Sequence, residues 1–534
     1  MPGARSFNFA DVWEMAADAV PERDALVVVN QGRWSYRELE TRANRAADAL
    51  ASLGVGRGDF VACHLENCVE YVEVVLGAFK LGAVPVNVNF RYVADELHHV
   101  LADCGAVVVV TEAHLADRVD ELRDRLPSVH TVLVTGDGGS YDDAVGRASE
   151  DRPDVERTGD EHYVIYTGGT TGLPKGVVWR HTDAFFACIG GGDPMRLAGP
   201  VDDPSELGDR MVESFSSFPL APLMHAAGLW VTLMWLFAGG KAMLLRGPLD
   251  PPTVWTAVDD EGANLLTFVG DAVGRPMMDE WDAEPGAHDA STLLSISNGG
   301  APMSPSLKQR IAASFPNVVI TDGFGSSEVG ARGSSRLSAA EVTKAGGVAQ
   351  FKPMASDTVV LDDENRPVEP GSGVIGRVAA SGRLPLGYLN DPEKTARTFV
   401  EVDGRRLAIT GDMASVAVDG TIELAGRGSG CINTGGEKVF PEEVETVLIS
   451  HPSVYDVLVV GADDARWGSA VTAIVKPHGD PPELDDLVEH CKRALASYKA
   501  PKHLVVVDEV KRSPAGKPDY RWAQQIADAN VSGD

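Results

Sequence analysis

The chain has 534 residues, 44% hydrophobic and 23% charged, which is ordinary globular material too long for one core, so two or more domains are expected. Its formal net charge of −31 repels a phosphate backbone, which argues against nucleic-acid binding and otherwise reads as solubility. The six cysteines form no CxxC pair or metal-type cluster, the N-terminus lacks an apolar core before a cleavage site, and the longest apolar run (LWVTLMWLFA, 229–238) is too short for a bilayer, so the default reading is soluble and cytoplasmic, with no integral membrane association.

In chain order, WSYRELETRANRAADALASLG reads as a capped helix. Ser35 and Glu38 have capping-box spacing, Leu39, Ala43, Ala46, Leu50 and Leu53 repeat at helical intervals, and Gly54 stops it. DFVACHL then reads as a strand, VEYVEVVLGAFKLG as a helix and AVVVVTE as a buried strand. Helices alternating with apolar strands predict an α/β fold with mainly parallel sheet. YVIYT is a further strand, and residues 190–213, rich in Gly, Pro and Asp, read as a surface loop. SVAVDGTIEL carries a hairpin signal at Asp419-Gly420. Pro441, with Glu442 and Glu443 behind it, opens a helix that His451-Pro452 ends. Strands over 454–460 and 471–475, a helix over 485–495 and a strand over 503–507 complete a small α+β unit. The expected domains are 1–428 and 429–534.

The strand YVIYT runs into YTGGTTGLPKG, residues 166–176. Glycines let backbone N–H groups approach an anion, hydroxyls add neutral donors, and Lys175 adds charge, a combination that suits a polyphosphate. The Walker pattern fails, because Lys175 precedes Gly176 and Val177 stands where Ser or Thr would hold magnesium. The stretch alone is either a phosphate loop of another kind or a glycine-rich turn. It follows a strand, and the C-terminal ends of strands are where open α/β sheets place ligands.

Six further segments decide between these. PLMHAAG (222–228), NGGAP (298–302), GFGSSE (323–328), TGD (410–412), GRGSGCINTGGEKVFPEEVE (426–445) and PAGK (514–517) follow in that order. Together with YTGGTTGLPKG they resemble the signatures of the adenylate-forming superfamily, which holds acyl-CoA synthetases, aryl-CoA ligases, luciferases and nonribosomal adenylation domains. They span about two-thirds of the chain. The overall style is similar to actinobacterial fatty-acid and steroid side-chain CoA ligases. The resemblance implies a large adenylating domain and a small C-terminal domain that rotates about a hinge, with Ser429 at the hinge position.

It also implies the roles. Thr167, Gly168, Gly169, Thr170, Thr171 and Lys175 would hold the β- and γ-phosphates of ATP, with Gly168 standing where Ser is common. Gly300, Ala301 and Pro302 would lie along the adenine. Gly323, Phe324, Gly325, Ser326 and Ser327 would border the base and α-phosphate; Phe324 replaces the usual Tyr and Ser327 the usual Thr. Glu328 would ligate Mg2+. Asp412 would accept from the ribose hydroxyls, and Arg427 would contact ribose or phosphate. Lys517 would reach the α-phosphate and carboxylate oxygens, acting with Thr170, Glu328 and His225 as the catalytic set. Gly435, Gly436, Glu437 and Lys438 would line the pantetheine tunnel of CoA. The acid would lie among His225, Ala226, Gly228, Leu229, Trp230, Asn298, Gly299, Gly300, Phe324 and Gly325, with Met234 adding apolar contact.

An α-amino acid would bury an unpaired ammonium beside His225, where amino-acid-activating relatives have a carboxylate, so a hydrophobic acid is expected. The expected activity is that of an AMP-forming acyl-CoA synthetase: a medium- or long-chain fatty acid or a bulky polycyclic acid of steroid or terpenoid type is activated with release of pyrophosphate and passed to CoA. The alternatives are an acyl-AMP ligase that loads a carrier protein in trans, and a non-catalytic nucleotide-binding regulator. The resemblance leaves a homodimer open.

Overall fold

The structure is a computed structural model described here over residues 6–169, 172–301, 303–342, 350–353, 357–434, 437–464, 468–512 and 516–531. Its large N-terminal domain is organised around a sheet of 14 strands among those residues. One half of this sheet is parallel: Asp24–Val28, Lys241–Leu244, Ser216–Pro219, Leu265–Phe268, Ser295–Asn298 and Val319–Ser326 pair in that spatial order. The register sets Phe268 beside Asn298, and Asn298 beside Asp322. The chain therefore leaves neighbouring strands at one level and enters PLMHAAG, the NGGAP segment and GFGSSE along one sheet edge. The other half of the sheet is antiparallel and includes the Arg405–Val416/Ile422–Arg427 hairpin, whose turn has Gly420 at φ +83°.

A second sheet, of four parallel strands, carries Phe60–His64 and Val108–Glu112. The Tyr36–Ser52 and Val69–Lys80 helices pack beside it. The first of these has the expected reciprocal cap: Ser35 N–H donates to Glu38 and Glu38 N–H to Ser35 Oγ. The smaller C-terminal domain has the strands Val454–Asp464, Gly468–Pro477 and His503–Val506. The helices Pro441–Leu448 and Leu484–Lys492 fill one apolar face of that sheet, and Tyr520–Asn530 fills the other.

Two local expectations change. The strand before the phosphate loop is not part of a parallel sheet: His162–Gly169 and Gly172–Arg180 form an antiparallel hairpin, with Gly387–Tyr388 as a third strand. The strand after the loop carries the consecutive buried residues Val177, Val178 and Trp179 and returns beside the first. Residues 190–213 are not a bare loop. Val201 and Leu207 are buried, Asp193 accepts from the N–H groups of Leu197, Ala198 and Gly199, and Asp203 caps the 3-10 turn Pro204–Arg210. Asp193 and Asp203 thus act as acceptors within the segment.

Candidate active site

The phosphate hairpin is fixed at its base. Asn87, nearly buried, accepts from Tyr166 N–H at 2.7 Å and donates to the carbonyls of Tyr166 at 2.9 Å and Met224 at 2.7 Å. One amide side chain thus ties the strand entering the loop to the residue before His225. Tyr166 Oη donates to Asp103 at 2.6 Å, and His99 Nε2 donates to the Pro174 carbonyl at 2.8 Å. A carbonyl can only accept, so the latter contact puts the proton on Nε2. Thr167 stands across from Lys175 in the ladder. The Lys175 ammonium reaches Asp391 Oδ2 at 2.5 Å. Thr170 and Thr171 lie outside the described residues, as do Pro302, Gly435, Gly436, Pro514 and Ala515.

The GFGSSE segment faces this hairpin. Trp179 Nε1, on the returning strand, donates to the Ser327 carbonyl at 3.0 Å. Arg332, nearly buried, donates to the carbonyls of Val329 and Arg383 and to Asp357, each at 2.6 Å, and so anchors the residue after Glu328. Tyr388 Oη donates to Glu328 Oε1 at 2.9 Å. Phe324 is mostly buried, its ring centroid 5.4 Å from that of Phe351. Gly323 and Gly325 are neighbours of Phe324 on the strand, and Ser326 Oγ accepts from Glu328 N–H at 3.3 Å.

Asn298 uses its whole amide on the protein. Its Oδ1 accepts from Gly270 N–H at 2.7 Å, and its Nδ2 donates to the Ala301 carbonyl at 2.8 Å and to Asp322 at 2.7 Å. It therefore shapes the Gly299, Gly300, Ala301 turn, in which Gly300 has φ +84°.

His225 is the N-cap residue of the helix Ala226–Phe237. Gly228 lets this helix meet the preceding turn, because a Cβ there would lie 2.4 Å from the carbonyls of Ala221 and Pro222. The Nε2 of His225 is buried without a hydrogen-bond partner. Burial, then Lys517, then Arg91 push its pKa down to about 3, so it is neutral near pH 7. His225, Ala226 and Met234 remain half-buried. Leu229 and Trp230 do not join them: both are in the main hydrophobic core, and Trp230 Nε1 donates to Tyr163 Oη at 3.0 Å.

The C-terminal domain closes the site from the other side. Lys517 is near enough to His225 to depress its basicity. Gly516 has φ +70°, and a Cβ there would lie 2.8 Å from the Val269 carbonyl. Tyr455 Oη donates to Asp279 at 3.1 Å, a second contact between the domains. Asp412 stands across from Arg427 in the backbone ladder of the long hairpin, directly before the Gly428–Gly430 turn that contains Ser429. Glu437 and Lys438, on a short two-stranded ribbon, are exposed in this arrangement. Asn87, Trp179, Tyr388 and Asp391 carry no motif signal; they are ordinary residues that act through distant partners.

Known proteins share this arrangement along the whole chain. The AMP-binding enzyme family matches residues 13–389, and the AMP-binding enzyme C-terminal domain family matches 443–517. A Mycobacterium marinum protein named medium/long-chain-fatty-acid–CoA/3-oxocholest-4-en-26-oate–CoA ligase is 42% identical over 99% of this chain and 98% of its own. A Rhodococcus rhodochrous 3-oxocholest-4-en-26-oate–CoA ligase is 41% identical over 97% and 96%. Among solved structures, a Mycobacterium tuberculosis fatty acyl CoA synthetase superposes with TM-score 0.73 at 28% identity, covering 98% of this chain and 99% of that one. The fold is also that of the anthranilate CoA ligase AuaEII, with TM-score 0.85 at 23% identity over 99% of this chain and 98% of that one.

Proposed function

The chain belongs to the AMP-binding enzyme family, and from that premise we propose that it is an ATP-dependent acyl-CoA synthetase acting on hydrophobic carboxylic acids, either medium- to long-chain fatty acids or a steroid side-chain acid. One observation supports the reading: Asn87 ties the phosphate hairpin to the residue before His225 and Trp179 ties it to Ser327, beside the edge where neighbouring parallel strands end. The relatives that match over nearly the whole chain are named for those acids.

In this reading a carboxylate oxygen bonds to the α-phosphorus of ATP, the bond to the β-phosphate bridge breaks, and pyrophosphate leaves. Both reactants are anions, so the site must supply positive charge and donors. Lys517 meets the α-phosphate and the carboxylate, and Lys175 meets the β- and γ-phosphates. His225, held neutral, offers a hydrogen bond without a fixed charge. Asp412 receives the ribose hydroxyls. The Glu328 corner suits magnesium, because one protein carboxylate beside substrate phosphates is a usual donor set for that ion. Magnesium, when bound, would neutralise phosphate charge.

In this reading the acid lies against Ala226 and Met234, which are half-buried, while Leu229 and Trp230 support that wall from the core. For the second half-reaction, the domain from Ser429 onward turns about the Gly428–Gly430 segment. Lys517 withdraws, and the now-exposed Glu437 and Lys438 ribbon comes in to meet the pantetheine of CoA. No helix among the described residues is long and apolar enough to cross a membrane. The cysteines among them are free, which suits the cytoplasm.

The test is pyrophosphate release and mass spectrometry of products with acetate, benzoate, octanoate, palmitate, a steroid carboxylate and phenylalanine. CoA thioesters of octanoate, palmitate or the steroid acid are expected. A clear preference for acetate or phenylalanine would overturn the assignment of the acid. Acyl-AMP formed without CoA consumption would point to a carrier protein as acceptor. Absence of pyrophosphate release would remove the enzyme reading.

A further inference from the structure

The Pro392–Thr398 helix brings a second lysine to the phosphate hairpin. The segment before it is laced to the returning strand: Leu386 N–H donates to the Val178 carbonyl at 2.7 Å, and Leu389 N–H to the Gly176 carbonyl at 2.8 Å. Asp391 is held in place by Lys394 N–H at 2.9 Å, and through its other oxygen it meets Lys175. The Lys394 side chain lies across the Tyr388 ring, with Nζ 4.3 Å from the centroid. The hydroxyl of that ring is the donor to Glu328. Two lysines and two carboxylates therefore surround one tyrosine, between the phosphate hairpin and the Glu328 corner.

Their pairing is uneven. Asp391 is taken by Lys175, and Glu328 is taken by Tyr388. Among the described residues, Lys394 has a π face and no ion-pair partner. Burial, then Lys175, hold its pKa below the usual lysine value, against the opposing pull of Glu328 and Asp391; Arg397 adds to the lowering. A partly desolvated cation facing another cation is relieved when an anion arrives between them.

We infer that Lys394 is a second phosphate-binding cation, which receives the β- and γ-phosphates of ATP opposite Lys175 and then the departing pyrophosphate. This rests on the ligase reading above. When the α-phosphorus–oxygen bond breaks, its electron pair stays on the bridging oxygen of pyrophosphate, and Lys394 compensates that charge without exchanging a proton. Tyr388 links this cation to Glu328, so one ring sets both the cation that meets the phosphates and the carboxylate that would hold magnesium beside them.

The test uses the full chain and octanoyl-AMP. Lys394→Met keeps the aliphatic stem over the ring and removes the charge, and Lys394→Arg restores charge. For Met, the KM for pyrophosphate in ATP formation from octanoyl-AMP should rise roughly 10- to 100-fold, the scale of one charged hydrogen bond. The KM for ATP should rise in parallel, CoA-dependent consumption of octanoyl-AMP should be unchanged, and Arg should recover most of the loss. A purely structural role would depress both half-reactions together, and that result overturns the assignment. An unchanged KM for pyrophosphate in a variant with wild-type thermal unfolding overturns it as well. A wild-type enzyme that returns no ATP from octanoyl-AMP and pyrophosphate overturns the ligase reading, and this assignment with it.

Discussion

Gly168 stands at the lip of the phosphate hairpin, and a Cβ built on it meets nothing within 4 Å. A serine hydroxyl therefore fits there and adds a donor to the loop. Gly168→Ser is expected to fold as the wild type does and to lower the KM for ATP roughly two- to tenfold, the worth of one neutral hydrogen bond. An unchanged or raised KM would show that the hydroxyl does not face the nucleotide. Glu328 accepts a hydrogen bond from Tyr388 Oη and is itself only half-buried. Glu328→Ala should raise the magnesium concentration needed for half-maximal pyrophosphate release and leave thermal unfolding nearly unchanged; the reverse pattern would make Glu328 a structural residue. Lys175, His225, Glu328 and Lys517 can be singled out as candidates from the sequence because each stands in a short motif with a chemical reason. Their supports are not. Asn87 joins two segments far apart in the chain, and Arg332 holds Glu328's neighbour, yet neither lies in a pattern that local physics would mark. Leu229 and Trp230 show the opposite limit: a continuous apolar run does not say which of its residues are buried in the core and which stay half-buried.

At the scale of elements, the capped Tyr36–Ser52 helix and the Asp419-Gly420 hairpin were readable from spacing and turn chemistry. The antiparallel return of the phosphate hairpin was not, because an apolar strand looks alike in either direction. Nor was the joint between helices. Lys80, fully buried on Val69–Lys80, donates to Glu14 at 2.7 Å on Phe9–Ala19 and to Glu40 at 2.9 Å on Tyr36–Ser52. Arg152 and Arg157 clamp the same carboxylates from the following segment. Removing the central charge leaves two poorly solvated carboxylates facing each other. Lys80→Met should destabilise the protein by about 3–5 kcal/mol at pH 7, measured by denaturant unfolding. Burial alone would raise the Glu14 carboxyl, but Lys80 and Arg157 outweigh it and hold the pKa at about 2. That stabilisation is present above about pH 4.5 and is lost as pH falls towards 2. The difference between wild type and Lys80→Met should therefore narrow over that interval, and a constant difference would refute the account.

At the scale of the whole molecule, the two domains meet at a place with little tolerance. Gly516 has φ +70°, a backbone that L residues adopt at a cost, and a side chain there would press on the Val269 carbonyl. In this arrangement the neighbouring Lys517 is close enough to lower the basicity of His225. Gly516→Ala should therefore hinder the closed arrangement without touching a substrate atom. If one domain arrangement serves adenylation and a turned one serves the thiol step, the variant should slow pyrophosphate release roughly tenfold or more, and thioester formation from preformed acyl-AMP should persist. Lys517→Ala should show the same asymmetry more strongly, losing roughly 10²–10³ in adenylation, the scale of one transition-state donor. The two variants separate cause from chemistry: alanine at 516 keeps the charge and moves it, whereas alanine at 517 keeps the loop and removes the charge. Exogenous alkylamine should recover adenylation in Lys517→Ala and do nothing for Gly516→Ala. Equal losses in both half-reactions for both variants would mean that the domains hold one arrangement throughout, and the turning account would fall.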